Sequence, residues 1–259
     1  MSMESEEQLA EGSLVSHLVE LRSRLIRSAL SILLIFVCLI PFAEQTFTIV
    51  ATPLMERLPE NATMIATQVA SPFLTPFKTS LFVAVFLSMP VILYQVWGFI
   101  APGLYRKEKR FASPLLISSI VLFYSGVAFA YFVVFPLMFG FFAAVSPEGV
   151  TMMTDISSYL DFILTIFFAF GLAFEVPIAT VMLVWSGLVS LEVLGKARAY
   201  VFLGAFVMGM LLTPPDAISQ TLLAVPVYLL YEAGLILAKV LGKQDDVLAN
   251  ADKSDSTDI

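Results

Sequence analysis

Long apolar stretches recur along this chain, and they constrain its fold more than any other feature. An α-helix needs about 20 apolar residues to cross the hydrocarbon core of a bilayer. Apolar residues make up 59% of the sequence and the mean hydropathy is +0.90, far above a soluble domain of this length. The sequence therefore predicts an all-α, polytopic membrane protein with six transmembrane helices, near residues 25–45, 77–100, 112–143, 159–185, 199–212 and 218–238.

The distribution of the 14 Lys and Arg residues predicts the orientation of these helices. If both termini are cytoplasmic, only Arg57 and Lys78 lie on the outer side, and the other 12 lie inside. Cytoplasmic loops carry an excess of Lys and Arg, so we expect an N-in/C-in topology. The inner set is Arg22, Arg24, Arg27, Arg106, Lys107, Lys109, Arg110, Lys196, Arg198, Lys239, Lys243 and Lys253.

Both ends of the chain are acidic and account for much of the net charge of −7. We expect residues 1–13 and 244–259 to be disordered tails on a transmembrane domain of residues 14–243, because runs of like charge repel. The N-terminus lacks the basic segment of a cleaved signal, so the first span is predicted to be a retained anchor. The basic residues are accounted for by topology, which leaves no nucleic-acid signal.

The last two spans are predicted to be short. Residues Tyr200 to Leu212 give a helix of about 20 Å, against a hydrocarbon core of about 30 Å. Such a mismatch is met by local thinning of the bilayer or by packing against neighbours. A structural joint follows, in which Pro214 and Pro215 end one helix and Asp216 can cap the next.

Glu175 is the only ionisable residue between Phe162 and Trp185. A carboxylate at this depth is costly and persists where a partner or a water-filled cavity receives it. Gly171 and Pro177 flank it and can bend the helix, which frees backbone carbonyls. Glu175 is thus predicted to form an intramembrane polar site; the alternative is a carboxylate that reaches the membrane interface.

Two carboxylates near the cytoplasmic side, Glu20 and Glu108, lie among cationic neighbours. A carboxylate in such surroundings stays ionised and can accept a guanidinium in bidentate geometry. Each could instead merely neutralise adjacent basic residues. Phe99 offers an aromatic face at the same edge, or serves as packing or an interface anchor.

Polar groups near the last joint are candidates for binding another helix. Thr213 and Gln220 bracket the joint, and Met210 lies one turn earlier. Hydroxyl and amide groups there can hydrogen-bond a partner helix, and a capping or intramolecular role competes equally.

Motifs of covalent chemistry are missing from the sequence. It has no His-Glu-x-x-His or Gly-x-Ser-x-Gly motif and no Gly-rich phosphate loop, and its single histidine, His17, lies outside the predicted membrane core. We therefore predict a binding and passage function with no enzymatic activity, no metal and no cofactor. Cys38 is the only cysteine, which excludes an intramolecular disulfide.

Five ordered segments together resemble the TatC family, the multi-spanning core of the twin-arginine protein translocase. They extend over most of residues 13–243. The segments are Ser16-His17-Leu18-Val19-Glu20-Leu21-Arg22, Ala70-Ser71-Pro72-Phe73, Tyr94 to Tyr105, Phe170-Gly171 with Phe174-Glu175-Val176-Pro177, and Leu212-Thr213-Pro214-Pro215-Asp216.

The resemblance implies a receptor for signal peptides with paired arginines, on proteins exported already folded across the bacterial cytoplasmic membrane by the proton gradient. It implies signal binding by Glu20, Arg22, Phe99 and Glu108, and an intramembrane acid, Glu175, on a concave, water-accessible wall of kinked helices. It also implies docking of the single-span subunits TatA and TatB near Met210, Thr213 and Gln220, within a multimeric complex in contact with membrane lipid.

Two other functions remain open from the residues. A proton-coupled transporter of small solutes would use Glu175 as its relay, although such a protein should carry several intramembrane ionisable groups. A scaffold that only anchors partners would tolerate changes at Glu108 without loss of ligand binding.

Overall fold

The computed structural model describes residues 3–55, 63–100, 112–145, 153–212 and 217–255. These ranges are helical apart from two three-residue strands and short connections. The helices are α1 (Met3–Leu39), α2 (Ala43–Met55), α3 (Ser71–Ile100), α4 (Ala112–Phe129), α5 (Phe135–Val145), α6 (Ile156–Ala173), α7 (Val176–Trp185), α8 (Leu191–Lys196), α9 (Arg198–Leu212) and α10 (Ala217–Asp255), and the strands are β1 (Thr63–Ile65) and β2 (Met153–Asp155).

The chain divides into two compact units, and the first consists of residues 1–55 and 66–103. In this unit α1 and α2 both pack against α3. A short 3₁₀ turn, Ile40–Phe42, joins α1 to α2, and it contains Pro41, whose missing N–H interrupts the α-helical hydrogen-bond pattern. Within α3, Thr79 and Ser80 donate their hydroxyl protons to carbonyls one turn earlier, which satisfies these polar groups inside an apolar helix.

The second unit consists of residues 56–65 and 104–259. Its core lies where α4 and α6 pack together and where α10 packs against α7 and α9. Aromatic rings fill much of it, with Phe129 placed 5.6 Å from Phe170 and 5.5 Å from Phe174, between ring centroids. A π-helical turn, Ala130–Val134, lies just before Pro136, where the proline cannot donate a hydrogen bond to the preceding turn.

A two-stranded parallel sheet is the one departure from the predicted all-α fold among the described residues. Strand β1 pairs with β2, with Thr63 opposite Met153 and Ile65 opposite Asp155. Asp155 also caps α6, since its carboxylate accepts hydrogen bonds of 3.0 Å from the backbone N–H groups of Ser157 and Ser158. The sheet therefore fixes the segment from which α6 starts.

Among the described residues, five helical segments are long and apolar enough to cross a membrane, and α9 (Arg198–Leu212) is a shorter apolar helix. The five candidate spans are His17–Ala51, Ser71–Phe99, Ser113–Phe142, Ile156–Trp185 and Ala217–Leu241. The prediction of a helical, polytopic membrane protein is thus confirmed, and α9 is the shorter of its apolar helices.

The prediction that the sixth span is also short was wrong. The apolar pattern of α10 continues past Lys239 to Leu241, and a candidate span of 25 residues is about 37 Å long. Pro226 lies inside this helix without ending it. The helices also extend to Met3 and Asp255, into both acidic segments, and the division into one membrane domain and two tails stays a prediction.

Candidate functional site

Glu20 lies on α1 and forms an ion pair with Arg24 one turn later. Nε of Arg24 lies 3.0 Å, and Nη2 lies 2.6 Å, from the same carboxylate oxygen, Oε1. The Glu20 side chain is 38% exposed and that of Arg24 is 20% exposed. Glu20 is therefore an accessible carboxylate that already accepts a guanidinium in this position.

Arg24 also reaches α3, in the same unit. Its Nη1 lies 3.5 Å from the backbone oxygen of Gln95. A Cβ at Gly98 would overlap Nη1 of Arg24, so the absence of a side chain at Gly98 makes room for the guanidinium. The ion pair is thus docked against the last turns of α3.

Phe99 lies beside this ion pair on α3 and stacks against His17 of α1. The two ring centroids are 4.2 Å apart and the planes are inclined by 26°. His17, Glu20 and Arg24 are spaced by three and four residues, so they share one face of α1. This face, which we call the α1 polar face, meets the end of α3 and holds Glu20 and Phe99 at one helix contact.

The structure separates some of the predicted signal-binding residues. Arg22 is exposed, and its position two residues after Glu20 turns it away from the α1 polar face. Glu108 lies outside the described residues.

Two residues of this site, Arg24 and Gln95, were not predicted as site residues from the sequence. The spacing of Glu20 and Arg24 could have indicated the ion pair, whereas nothing in the sequence places Gln95 beside Arg24.

Glu175 lies at an interruption between α6 and α7, as the flanking Gly171 and Pro177 predict. Pro177 has no N–H to donate to the Ala173 carbonyl, so the α-helical pattern cannot continue. The Glu175 N–H instead donates to the Leu172 carbonyl at 3.0 Å, three residues earlier. The backbone at Glu175 therefore turns within a span that is apolar on both sides.

The Glu175 side chain faces α4, where the Ser119 side chain hydrogen-bonds the carboxylate. Its Oε1 is buried and has no hydrogen-bond partner among the described residues. Two glycines allow this close packing, since a Cβ at Gly126 would overlap the Phe170 carbonyl and a Cβ at Gly171 would lie 2.5 Å from the Phe123 ring. Nothing in the sequence pointed to Ser119, because its proximity to Glu175 arises only from the packing of α4 on α6.

The residues predicted to bind partner helices are only partly described. Met210 is 53% exposed on α9, on an apolar face with Leu203 and Val207. Gln220 lies in α10 against Gly209, where an added Cβ would be 3.3 Å from the Gln220 backbone oxygen. Thr213, Pro214, Pro215 and Asp216 lie outside the described residues.

Glu232 forms a cluster that the sequence did not predict. It accepts two hydrogen bonds from Arg198, at 2.7 and 3.0 Å, and one from the Tyr228 hydroxyl at 2.9 Å. Lys239 lies about two turns further along α10, whereas α9 brings Arg198 alongside Glu232. This cluster joins the start of α9 to α10.

No group of three or more His, Cys, Asp and Glu side chains is placed to hold a metal ion within the described ranges. The α1 polar face carries the Glu20–Arg24 ion pair, and the Glu175 carboxylate is hydrogen-bonded by Ser119. Both are suited to binding a charged or polar ligand.

The sequence profile of one family, described as "TatC: Sec-independent protein translocase protein (TatC)", matches residues 16–226. The chain belongs to the TatC family. It is 61% identical to the TatC protein of Azotobacter chroococcum mcd 1, over 92% of this chain and 93% of that protein. It is 53% identical to TatC of Escherichia coli (strain K12), over 87% of this chain and 88% of that protein.

A solved structure described as "Crystal Structure of Twin Arginine Translocase Receptor- TatC" has the same fold. It superposes with a TM-score of 0.78 at 39% identity, over 86% of this chain and 98% of that one. The predicted resemblance to TatC is thus confirmed, and the chain is a core subunit of the Sec-independent translocase, a transport component and not an enzyme.

Proposed function

We propose that the α1 polar face receives the paired arginines of a signal peptide. The observation that supports this is the Glu20 carboxylate, which is partly exposed and already accepts a guanidinium from Arg24. Arginine has a planar fork of N–H donors that matches a carboxylate, and lysine does not. Glu20 would therefore favour a twin-arginine signal over a twin-lysine one.

Other residues complete the proposed receptor. Phe99 would stack on a guanidinium or on the peptide backbone beside Glu20. Glu108 would pair with the second arginine, and Arg22 would contact the signal from another face of α1. The apolar part of the signal would then enter a groove towards Glu175.

The proposed setting is the bacterial inner membrane, with both termini in the cytoplasm. The 12 to 2 division of Lys and Arg supports this topology. The short helix α9 would thin the bilayer locally. TatA and TatB would dock near Met210, Thr213 and Gln220, beside the joint of Pro214, Pro215 and Asp216, in a multimeric complex driven by the proton gradient.

Binding of a twin-arginine signal peptide to the purified protein tests the receptor role. A peptide with two lysines is the matched ligand, and Glu20→Gln is the test variant. Loss of a charge-assisted hydrogen bond costs about 1.5–3 kcal/mol, so we expect roughly ten- to hundredfold weaker binding of the arginine peptide. Equal binding of both peptides to the unchanged protein would refute the proposed recognition.

A second experiment tests the role of Glu175. Glu175→Gln keeps the shape and the Ser119 contact but removes the charge. If ionisation of this group is part of transport, export of a twin-arginine cargo falls while binding of the signal peptide is retained. Unchanged export in this variant would show that the charge is not needed.

A further inference from the structure

We propose that Arg24 is an internal competitor for the Glu20 carboxylate, which it occupies until an arginine of the signal peptide displaces it. This inference rests on the proposed function of the α1 polar face. It makes Arg24 a residue that sets the affinity of the receptor, in addition to the residues that contact the signal.

The geometry of the ion pair leads to this competition. Arg24 directs both Nε and Nη2 to Oε1 of Glu20. An incoming guanidinium in fork geometry makes two parallel bonds, one to each carboxylate oxygen. It therefore needs Oε1, and the two guanidinium groups cannot both hold this atom in that geometry.

A displaced Arg24 has another acceptor within reach. Its Nη1 already lies 3.5 Å from the Gln95 carbonyl, and the guanidinium fills the space that the missing side chain of Gly98 leaves on α3. The carbonyl end of a helix carries partial negative charge, which favours a cation in the last turns of α3. Arg24 therefore still has a hydrogen-bond acceptor on α3 when its bonds to Glu20 are released.

Phe99 of α3, the aromatic group at this helix contact, is occupied in a similar way. His17 covers one face of the Phe99 ring at 4.2 Å. The carboxylate and the aromatic ring that would meet the signal are therefore both engaged by side chains of α1 itself. Arg24 occupies the Glu20 carboxylate and His17 occupies the Phe99 ring, so a signal peptide has to displace side chains of α1 to reach either group.

The test compares affinities for a twin-arginine peptide in the full-length protein. A partly exposed ion pair contributes up to about 1 kcal/mol, so Arg24→Gln is expected to bind the peptide about two- to fivefold more tightly. Arg24→Lys keeps the charge but loses the fork, so we expect a smaller increase. Lys196→Gln removes one charge from α8, in the other unit, and should leave the affinity unchanged.

Each outcome has a distinct meaning. Weaker or unchanged binding in Arg24→Gln, with binding still dependent on Glu20, would overturn the competition and leave the receptor role intact. An Arg24→Lys variant equal to the unchanged protein would show a charge effect without competition for Oε1, which also overturns it. Failure of the unchanged protein to bind the peptide would refute the proposed function, and this inference with it.

A second readout follows Arg24 directly. In protein labelled with ¹⁵N-arginine, the Nε–H signal of Arg24 is identified by its absence in Arg24→Lys. Its exchange with solvent should become faster when the peptide is added, because the bond to Glu20 is released. An exchange rate that does not change on saturation with peptide would contradict displacement.

Discussion

Replacing Gly234 by alanine should push α10 away from α7, next to the Glu175 interruption. A Cβ at this buried position would lie 2.8 Å from Cα of Pro177 and 3.0 Å from Cβ of Thr180. Ordinary contacts begin at 3.4 Å, so the closest approach falls short by about 0.6 Å. Both obstacles belong to helix backbone or to a stiff β-branched side chain, so neither can move aside by rotation alone.

The magnitude follows from two opposing effects. Overpacking of this kind costs about 1–3 kcal/mol. Alanine also favours a helix over glycine by about 0.5–1 kcal/mol, which partly offsets the cost. Gly204 of α9 provides the matched control, because an added Cβ there meets nothing within 4 Å. Gly204→Ala therefore shows only the gain from the higher helix preference of alanine.

Thermal unfolding of the two variants in the same detergent, followed by circular dichroism, isolates the packing effect. For a chain of this size, about 1 kcal/mol shifts the midpoint by about 2–4 °C. We therefore expect Gly234→Ala to unfold about 2–12 °C below Gly204→Ala. Equal midpoints, or a more stable Gly234→Ala, would refute the claim that α7 and α10 are in backbone contact here.

Three further variants test individual hydrogen bonds. Asp155→Ala removes the cap of α6 and should cost about 1 kcal/mol of stability in chemical or thermal unfolding; an unchanged midpoint would argue against the cap. Tyr231→Phe loses the 2.7 Å bond to the Leu194 carbonyl and should cost about 0.5–1.5 kcal/mol in the same assay, with no loss counting against that bond. Pro177→Ala supplies an N–H for the Ala173 carbonyl, so the new amide should exchange slowly with solvent; rapid exchange would mean that the interruption persists without proline.

Local signals in the sequence predicted the features that depend on neighbouring residues. The interruption at Glu175 follows from Pro177, which lacks an N–H wherever the helix packs. The short fifth helix follows from the count of apolar residues before the two prolines. The sixth helix was misjudged as short, whereas the candidate span Ala217–Leu241 belongs to a long helix that packs against α7 and α9.

Features that join distant segments could not be predicted in this way. The pairing of β1 with β2 and the contact of Arg198 with Glu232 depend on where the helices lie in space. Arg22 and Arg24 are both basic residues next to Glu20, and the resemblance to TatC favoured Arg22. Helical geometry and the contact with α3 placed Arg24 on the α1 polar face instead.

The sequence by itself determined the class of protein, the approximate spans and the helix interruption, because apolar length and missing N–H groups act locally along the chain. It also carried the motifs that identify the TatC family. Only the tertiary structure decided which polar groups of different helices meet: Arg24 of α1 with the Gln95 carbonyl of α3, and Glu175 with Ser119 of α4. The physical reason is that a hydrogen bond requires donor and acceptor within about 3 Å, and for residues on different helices that distance is set by packing.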